Sequence, residues 1–441
     1  NLALLLIFAI IYGLSQKFGT DPLPWKNPFK SIQLTLGNPN FAGALFGLLA
    51  VVPLYITFTK NRLTKLLISA IGVTLIGYLG FCTNSLQSIV LVFLTTSIFY
   101  LINNYKIQNL KEKIIRILIY VTSFAVGTIT FFIFSSNIKI FTSLKKKFYY
   151  QGSIQQRLDY WRTGIEIFKH NPVFGVGPDQ YQRYAALYRT KEQVVLDGPM
   201  TIPDKAHSVL IDQFANGGFF AGILWLLFVS TIFFYLIKLI RMQLSEVARK
   251  DIATLGAIWT GYIFQSLISP DQLVLAILGY TSAGFLVKIY YQVTKKSTEN
   301  AKFNFLFKDT FYLRTLFTIA LSISIFIWVN AIFADADSKK ILNSGTASQQ
   351  DVISLINKWP SPKVTELIAV SVAQKDTECR LSNKLADRLL QIDNRNSQGW
   401  YIRAVCLNLK SNFIDALSAV DKSLTFDPIN PTYLVAKAKL C

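Results

Sequence analysis

The stretch that decides the fold is GGFFAGILWLLFVSTIFFYLI, residues 217–237, which contains no charged side chain. A helix needs about 20 mostly apolar residues to cross the hydrocarbon core of a bilayer, so this run predicts a membrane-spanning helix. The residues just before it, DKAHSVLIDQFAN at 204–216, are different in character and hold His207, one of only two histidines in the chain. A lipid-crossing helix is therefore preceded by an ionisable ring.

Similar apolar runs recur along the chain, which is 52% hydrophobic and only 16% charged. An ordinary soluble domain does not have this composition, so the sequence predicts an all-α fold, a polytopic membrane helical bundle. The first run is too short to span alone and starts without a methionine, which leads us to expect further spans upstream. The nine runs lie at about 2–14, 41–59, 66–82, 86–102, 117–134, 217–237, 252–269, 272–287 and 315–334.

The net charge of +20 follows the connections between these runs. Four connections are rich in Lys and Arg, whereas the turns 83–85 and 270–271 contain none. This alternation predicts that the basic connections face the cytoplasm. Because topology accounts for most of the basic excess and no base-reading motif appears, we expect no nucleic-acid partner. The basic connections are 60–65, 103–116, 238–251 and 288–314, with 3, 4, 4 and 6 Lys or Arg.

Two long segments then fall outside the cytoplasm, residues 135–216 and the tail after 335. We therefore predict a membrane domain over 1–334, with an outer loop at 135–216, and an extracytoplasmic domain over 335–441. A loop of this length usually carries function. The cysteine spacing matches no metal site. An oxidising compartment permits a Cys379–Cys406 disulfide, and unpaired packing cysteines fit the pattern equally well.

The tail contains a repeat. Asp393 and Asp427 are 34 residues apart, as are Asn396 and Asn430, and 34 is the period of the tetratricopeptide repeat. The tail therefore resembles a tetratricopeptide domain, which implies stacked helix pairs and either a docking surface for a protein partner or a cap on the fold. Trp400, Ala416 and Pro428 fit the repeat, whereas Ala404 and Leu407 depart from it.

Within the outer loop, GSIQQRLDYWRTGIEIFKHNP at 152–172 predicts a helix that starts with a capping box at Ser153 and stops before Pro172. Arg157, Trp161, Gly164 and Phe168 fall on one face of this helix. Arg162 has acidic partners within one turn on both sides, so a structural role is favoured for it. Arg157 has no such partner, which leaves a binding role open. The following Gly175 and Gly177 are typical of a turn, and less often of a phosphate-binding loop.

His207 follows Pro203-Asp204, which predicts a helix with Asp204 as its N-cap and His207 in the first turn. The positive end of a helix disfavours imidazolium, so the ring is expected to stay neutral and able to accept a proton. A neutral histidine suits general base catalysis. A histidine that only forms hydrogen bonds at the membrane surface fits the same spacing.

Three motifs in this order carry a family resemblance: LGNPNFAGALFG at 36–47, RLDYW followed by NPVFGVGPDQY within 157–181, and AHSVLIDQFANGGFFAG at 206–222. Together they resemble the O-antigen ligase and polymerase superfamily of bacterial membranes. The resemblance implies a glycosyltransferase that moves a glycan from an undecaprenyl-pyrophosphate carrier to a glycan or protein acceptor. It places the reaction at the outer face of the bacterial plasma membrane, among membrane lipids, without nucleotide sugar, metal or other cofactor.

The resemblance also implies roles for single residues. Arg157 would hold the pyrophosphate of the donor and His207 would activate the acceptor hydroxyl, with inversion at the anomeric carbon. The chemistry suits both side chains, because a pyrophosphate leaving group needs a cation and an attacking hydroxyl needs a base. The further residues expected to bind substrate are Trp161, Arg162, Asn40, Gln87, Arg183 and Lys205.

Three positions depart from the pattern that is common in the family. Ser208 replaces an asparagine after the histidine, Asn216 replaces an acid, and Leu86-Gln87 replace Arg-Gly after Ser85. These departures leave the acceptor open, so polymerisation of lipid-linked repeat units is an alternative to ligation. A non-catalytic membrane scaffold that docks partners through its tail is a third hypothesis. A transporter is disfavoured, because the apolar runs are nearly free of charge.

Overall fold

A computed structural model describes residues 2–22, 31–57, 63–104, 121–126, 153–295, 318–324 and 378–441, together with a few single positions. The described residues are helical and contain no strand, which confirms the predicted all-α class. The chain divides into two compact units. Unit 1 contains residues 1–175 and 205–299, and unit 2 contains residues 176–204 and 300–441.

Unit 1 is a helical bundle joined to one helix of the predicted outer loop. Four helical stretches among its described residues are long and apolar enough to cross a membrane: Pro39–Ile56, Leu86–Asn104, Val209–Arg241 and Leu273–Thr294. The first of these stretches covers α2 and most of α3. The protein is therefore a membrane protein. The predicted runs 117–134 and 315–334 lie largely outside the described residues. The helices of unit 1 are α1 (Leu2–Lys17), α2 (Pro39–Leu49), α3 (Val51–Thr57), α4 (Leu63–Cys82), α5 (Leu86–Asn104), α6 (Ser153–His170), α9 (Val209–Arg241), α10 (Glu246–Ile268) and α11 (Leu273–Lys295); α7 and α8 belong to unit 2.

Helix α10 lies at the centre of the bundle, where Trp259 and Tyr262 are fully buried. Two glycines let α5 approach it closely: a Cβ on Gly256 would lie 3.1 Å from Ile102, and one on Gly261 would lie 2.6 Å from Thr95. This pairing runs the two helices antiparallel. Because α10 faces protein and not lipid, it accommodates polar side chains that a lipid-facing span would exclude.

Helix α6 confirms the helix predicted in the outer loop. The start of α9 differs from the prediction, because α9 begins at Val209 with Ser208 as its N-cap. The Asp212 carboxylate accepts a hydrogen bond from the Ala206 amide at 2.8 Å, which holds the preceding residues in a turn. His207 has a left-handed backbone, with φ +56°, that a continuing helix excludes. The prediction that Asp204 caps the helix and places His207 in its first turn is therefore wrong.

Unit 2 contains α7 (Tyr181–Tyr188), α8 (Lys191–Asp197) and four consecutive helices of the tail, each packed on the next. The period of 34 marks equivalent helix starts, because the Asn396 and Asn430 side chains cap α13 and α15. A disulfide joins Cys379 to Cys406. This packing is what a helical repeat requires, and the tetratricopeptide assignment stays a prediction. The tail helices are α12 (Arg380–Ile392), α13 (Ser397–Leu409), α14 (Phe413–Phe426) and α15 (Pro431–Leu440).

The segment 176–204, which the sequence assigns to the outer loop, packs with the tail helices in unit 2. Its Arg189 forms a two-pronged ion pair with Asp427, at 3.1 Å from Nε to Oδ1 and 2.6 Å from Nη2 to Oδ2, and both side chains are fully buried. Arg189 also donates to the Pro199 carbonyl at 2.8 Å, and Asn430 donates to Asp427 at 2.8 Å. Asp427, one of the two aspartates spaced 34 residues apart, therefore binds the segment 176–204 of the same chain.

Removal of this buried cation is expected to loosen the segment. Arg189→Met leaves the Asp427 carboxylate buried without its cation, which costs roughly 3–5 kcal/mol of stability. Unfolding of the full chain and hydrogen exchange over 176–204 measure the effect. The matched control is Lys437→Met, which breaks an exposed pair with Asp421 at 2.7 Å and is expected to cost far less stability, because water screens this pair. Equal losses in the two variants would contradict the assignment.

The same variant has a predictable pH dependence. Burial raises the pKa of the Asp427 carboxyl, whereas the charge of Arg189 and the hydrogen bonds from Asn430 and Arg189 act to lower it. Without Arg189 the pKa of the folded carboxyl rises further above that of the unfolded chain, so the folded variant favours the protonated form. The stability deficit of Arg189→Met relative to the wild type is therefore expected to be larger at pH 8 than at pH 5.

Candidate active site

The end of α6 and the start of α9 are joined by direct contact between their backbones. The Phe219 amide donates to the Pro172 carbonyl at 2.7 Å, and the Gly175 amide donates to the Asn171 carbonyl at 3.0 Å. Gly218 interrupts α9 with a φ of +66°, and Gly175 has a φ of +64°. A Cβ on Gly175 would lie 2.6 Å from the Gly217 nitrogen, and one on Gly218 would lie 2.6 Å from the Gly175 nitrogen. Only glycine fits at either position.

This contact brings together two of the motifs that carry the family resemblance, NPVFGVG and FANGG. It also decides between the two interpretations of Gly175. The Gly175 amide is used within the turn, and its Cα lies against the backbone of α9. Gly175 is therefore a packing residue and not part of a phosphate-binding loop.

The predicted face of α6 packs on the first turns of α9. The Phe168 and Phe214 rings meet edge to face with centroids 5.2 Å apart. Trp161 lies about two helical turns before Phe168, and its Nε1 lies 3.5 Å from the His207 carbonyl oxygen. The ring centroid of the neighbouring Tyr160 lies 5.2 Å from that of His207. Two aromatic side chains of α6 thus hold the residue that the sequence proposes as a base.

Arg157 lies on this face, one helical turn before Trp161, which corresponds to a rise of about 6 Å along α6. Its side chain is half-buried. Burial lowers the pKa of the Arg157 guanidinium, because loss of water disfavours the charged form. Arg157 forms no ion pair with any carboxylate in the described part of the chain. A partly desolvated guanidinium without an anion is suited to bind one.

Lys205 precedes His207 by two residues and acts electrostatically on Asp271, in the turn between α10 and α11. Burial of the carboxyl group raises the pKa of Asp271, although the residue as a whole is exposed. The Tyr262 hydroxyl, at 3.1 Å, and the charge of Lys205 act to lower it. The predicted substrate lysine therefore belongs to the same end of the bundle as His207.

Asn40 and Gln87 lie in a second polar cluster of unit 1. The Ser85 hydroxyl donates to the Asn40 side-chain oxygen at 2.8 Å. A Cβ on Gly43 would lie 3.0 Å from Ser88, so the motif at 36–47 packs against the turn at 83–88. The Gln87 side chain is buried, and neither of its amide atoms has a hydrogen-bond partner within the described structure. A buried amide without a partner costs free energy, and Asn103 and Gln265 share this feature among the described residues.

The two remaining predicted arginines differ from Arg157. Arg162 lies 3.8 Å from Asp159 with 62% of its side chain exposed, as its helix neighbours predict. Arg183 belongs to unit 2, where it forms an ion pair with Asp393 and a 3.1 Å hydrogen bond to Gln180. Its guanidinium is thus held by a repeat aspartate. Local spacing did not indicate this pair, because the two residues are 210 positions apart.

Asp159 is a residue whose burial the sequence analysis missed. Its side chain is 2% exposed, Gln155 donates to Oδ1 at 3.2 Å, and Oδ2 has no hydrogen-bond partner in the described part of the chain. A buried carboxylate of this kind is costly and often functional. Among the described residues, no group of three or more His, Cys, Asp or Glu side chains is placed to hold a metal ion.

The geometry defines a class of protein, a membrane helical bundle in which the helix that carries the half-buried Arg157 packs on the turn that contains His207. Residues 71–226 match the family model described as O-Antigen ligase. This match supports the resemblance to the O-antigen ligase superfamily, and with it glycan transfer of the ligase or polymerase type. The match includes Gln87, Arg157 and His207, while Asn40 precedes it. No curated protein matches the chain.

The glycine contact is expected to be essential for folding of the site. Gly218→Ala adds a Cβ against backbone at a positive φ, which costs roughly 2–5 kcal/mol from strain and overpacking together. We expect a lower melting temperature in detergent and loss of transfer activity. The control is Gly284→Ala in α11, where a Cβ meets nothing within 4 Å and the melting temperature should not fall. A Gly218→Ala protein as stable and active as the control would contradict this account.

Proposed function

We propose that this protein transfers a glycan from an undecaprenyl-pyrophosphate carrier to an acceptor hydroxyl, on lipid A-core, protein or another envelope glycan. The observation that carries the proposal is the half-buried Arg157, which has no carboxylate partner among the described residues and lies one turn from the Trp161 that contacts His207. The packing of α6 on the turn that contains His207 thereby brings a candidate anion site and a candidate base to the same region. The family match supplies the substrate class, a lipid-linked glycan donor and an acceptor.

In the proposed reaction, the acceptor hydroxyl attacks the anomeric carbon of the donor glycan and its proton passes to a ring nitrogen of His207. The bond between the anomeric carbon and the pyrophosphate oxygen breaks, and its electron pair leaves with undecaprenyl pyrophosphate. Arg157 stabilises the negative charge that develops on this leaving group. Attack opposite the leaving group inverts the configuration at the anomeric carbon. No cofactor enters the proposal.

We propose that the reaction occurs at the outer face of the bacterial plasma membrane. Helices α5 and α9 end at Asn104 and Arg241, at the opposite end of the bundle from His207. The sequence that follows each of these ends is rich in Lys and Arg, which is the charge asymmetry expected for a cytoplasmic side. The Cys379–Cys406 disulfide supports an extracytoplasmic tail, because such bonds persist in oxidising compartments.

Substitution of the two central residues is expected to abolish transfer for different reasons. His207→Ala removes the base and should lower kcat by roughly 10²–10⁴-fold with little change in donor binding. Arg157→Gln removes the cation and should weaken donor binding as well as kcat. The assay is transfer by purified protein from lipid-linked glycan to acceptor, with donor binding measured separately.

Matched controls lie on the same helix as Arg157. Lys169→Ala removes an exposed cation that pairs with Glu166 at 2.7 Å, and His170→Ala removes the other histidine, which is exposed at the end of α6. Both variants should retain full transfer activity. Activity of His207→Ala equal to that of His170→Ala would contradict the assignment of His207 as the base. Absence of transfer by the wild-type protein would favour the non-catalytic scaffold instead.

A second assay of the purified protein distinguishes ligation from polymerisation. The family match fits both, because each uses a lipid-linked donor. When purified protein is given lipid-linked repeat units alone, a ligase should leave the chain length unchanged. Growth of the glycan without an added acceptor would identify a polymerase, in which a second lipid-linked unit supplies the attacking hydroxyl.

A further inference from the structure

The bundle of unit 1 contains a cavity far from the candidate active site. Its volume is about 590 Å³, which lies within the usual range for sites that bind small molecules or cofactors. Helices α1, α3, α10 and α11 form its walls. From Asp251, in the cavity, to Ile268, at the His207 end of α10, the helix rises about 25 Å. The cavity therefore belongs to the opposite end of the bundle.

Most of the cavity wall is apolar, and two of its helices belong to stretches apolar enough to span a membrane. Against this wall stand one carboxylate, Asp251 on α10, and one ammonium group, Lys288 on α11. No ion pair joins these two charges among the described residues. Asp251 accepts a hydrogen bond from the Tyr55 hydroxyl, and Lys288 is exposed at the edge of the cavity. Lys288 Nζ lies 5.9 Å from the centre of the Phe285 ring, and Tyr55 interacts electrostatically with Asp251.

An apolar pocket with two separated, opposite charges favours a ligand that has an apolar part and two opposite charges. A ligand that carries both a cation and an anion offsets both charges, whereas an anionic ligand satisfies Lys288 and is repelled by Asp251. Because helices that form the cavity can span the membrane, a lipid of the bilayer is the ligand with direct access to it. A phospholipid places its acyl chains against the apolar wall and its headgroup against the charges.

We propose that this cavity binds a zwitterionic phospholipid with an ethanolamine headgroup. The primary ammonium of the lipid donates to the Asp251 carboxylate, near the Tyr55 hydroxyl, and the phosphate accepts from Lys288 and from the amide of Gln292. A choline headgroup supplies the same charges but has no N–H group to donate, so it is expected to bind less tightly. The site is separate from glycan transfer and does not rest on the proposed function.

Native mass spectrometry of the full chain, with phosphatidylethanolamine and phosphatidylglycerol titrated in parallel, tests the proposal. We expect the wild type to prefer the ethanolamine lipid by about tenfold, the effect of one well-placed charged hydrogen bond. Asp251→Asn removes the partner of the ammonium while Lys288 remains, so the preference should reverse toward the anionic lipid. Asp251→Glu keeps the carboxylate and should keep the original preference.

Two controls change charges at the same end of the bundle outside the cavity. Lys238→Met removes an ammonium 5.4 Å from the Phe234 ring on α9, and Glu246→Gln removes the partner of Lys250. Neither should alter lipid preference. Equal binding of the two lipids by the wild type, or an unchanged preference in Asp251→Asn, would overturn the proposal. Displacement of the lipid by soluble glycerophosphoethanolamine at equal concentration would also overturn it, because the apolar wall would then contribute nothing.

Discussion

The candidate site depends on one contact, in which the backbone of residues 171–175 lies directly against the backbone of residues 216–219. Two glycines with positive φ, Gly175 and Gly218, allow this approach, and the hydrogen bond from Phe219 to the Pro172 carbonyl fixes its register. Because both segments adjoin helices, the contact fixes the position of α6 relative to α9. It thereby places the Arg157 face of one helix beside the His207 turn of the other.

Ion pairing then distinguishes Arg157 from three other arginines of the chain. Arg183 and Arg189 are held by carboxylates of the tail helices, and Arg162 is exposed beside Asp159. Arg157 alone among these four is half-buried without a carboxylate in the described residues, so its charge is left to an anion from outside the protein. The acidic neighbours of Arg162 already indicate its difference from Arg157 in the sequence. The pairs of Arg183 and Arg189 depend on three-dimensional contacts, because their partners are 210 and 238 positions away.

Much of the fold follows from local patterns in the sequence. The apolar runs predict the spans of α2, α5, α9 and α11, and the capping box with Asn171-Pro172 predicts both ends of α6. The 34-residue spacing marks helix starts, because asparagine caps recur at that interval. These features depend on residues within one or two helical turns of each other, and such neighbours are visible in a single sequence.

The errors and omissions arise where distant residues decide the structure. The start of α9 was misplaced because the Asp212 carboxylate captures the Ala206 amide and His207 adopts a left-handed backbone. The break at Gly218 depends on Val173 and Gly175, and the Arg189–Asp427 pair joins residues 238 positions apart. Periodicity carries no information about such contacts. The family resemblance names Arg157 and His207 together because its motifs include both sides of this contact, and the roles of the two residues stay a prediction.

The proposed function requires Arg157 and His207 to form one site for a lipid-linked pyrophosphate and its acceptor. The most direct measurement is an experimental structure of the full chain with undecaprenyl pyrophosphate bound. We expect pyrophosphate oxygens within hydrogen-bond distance of the Arg157 guanidinium, with the His207 ring facing the same space. A pyrophosphate bound elsewhere, with Arg157 paired to a carboxylate of the protein, would contradict it.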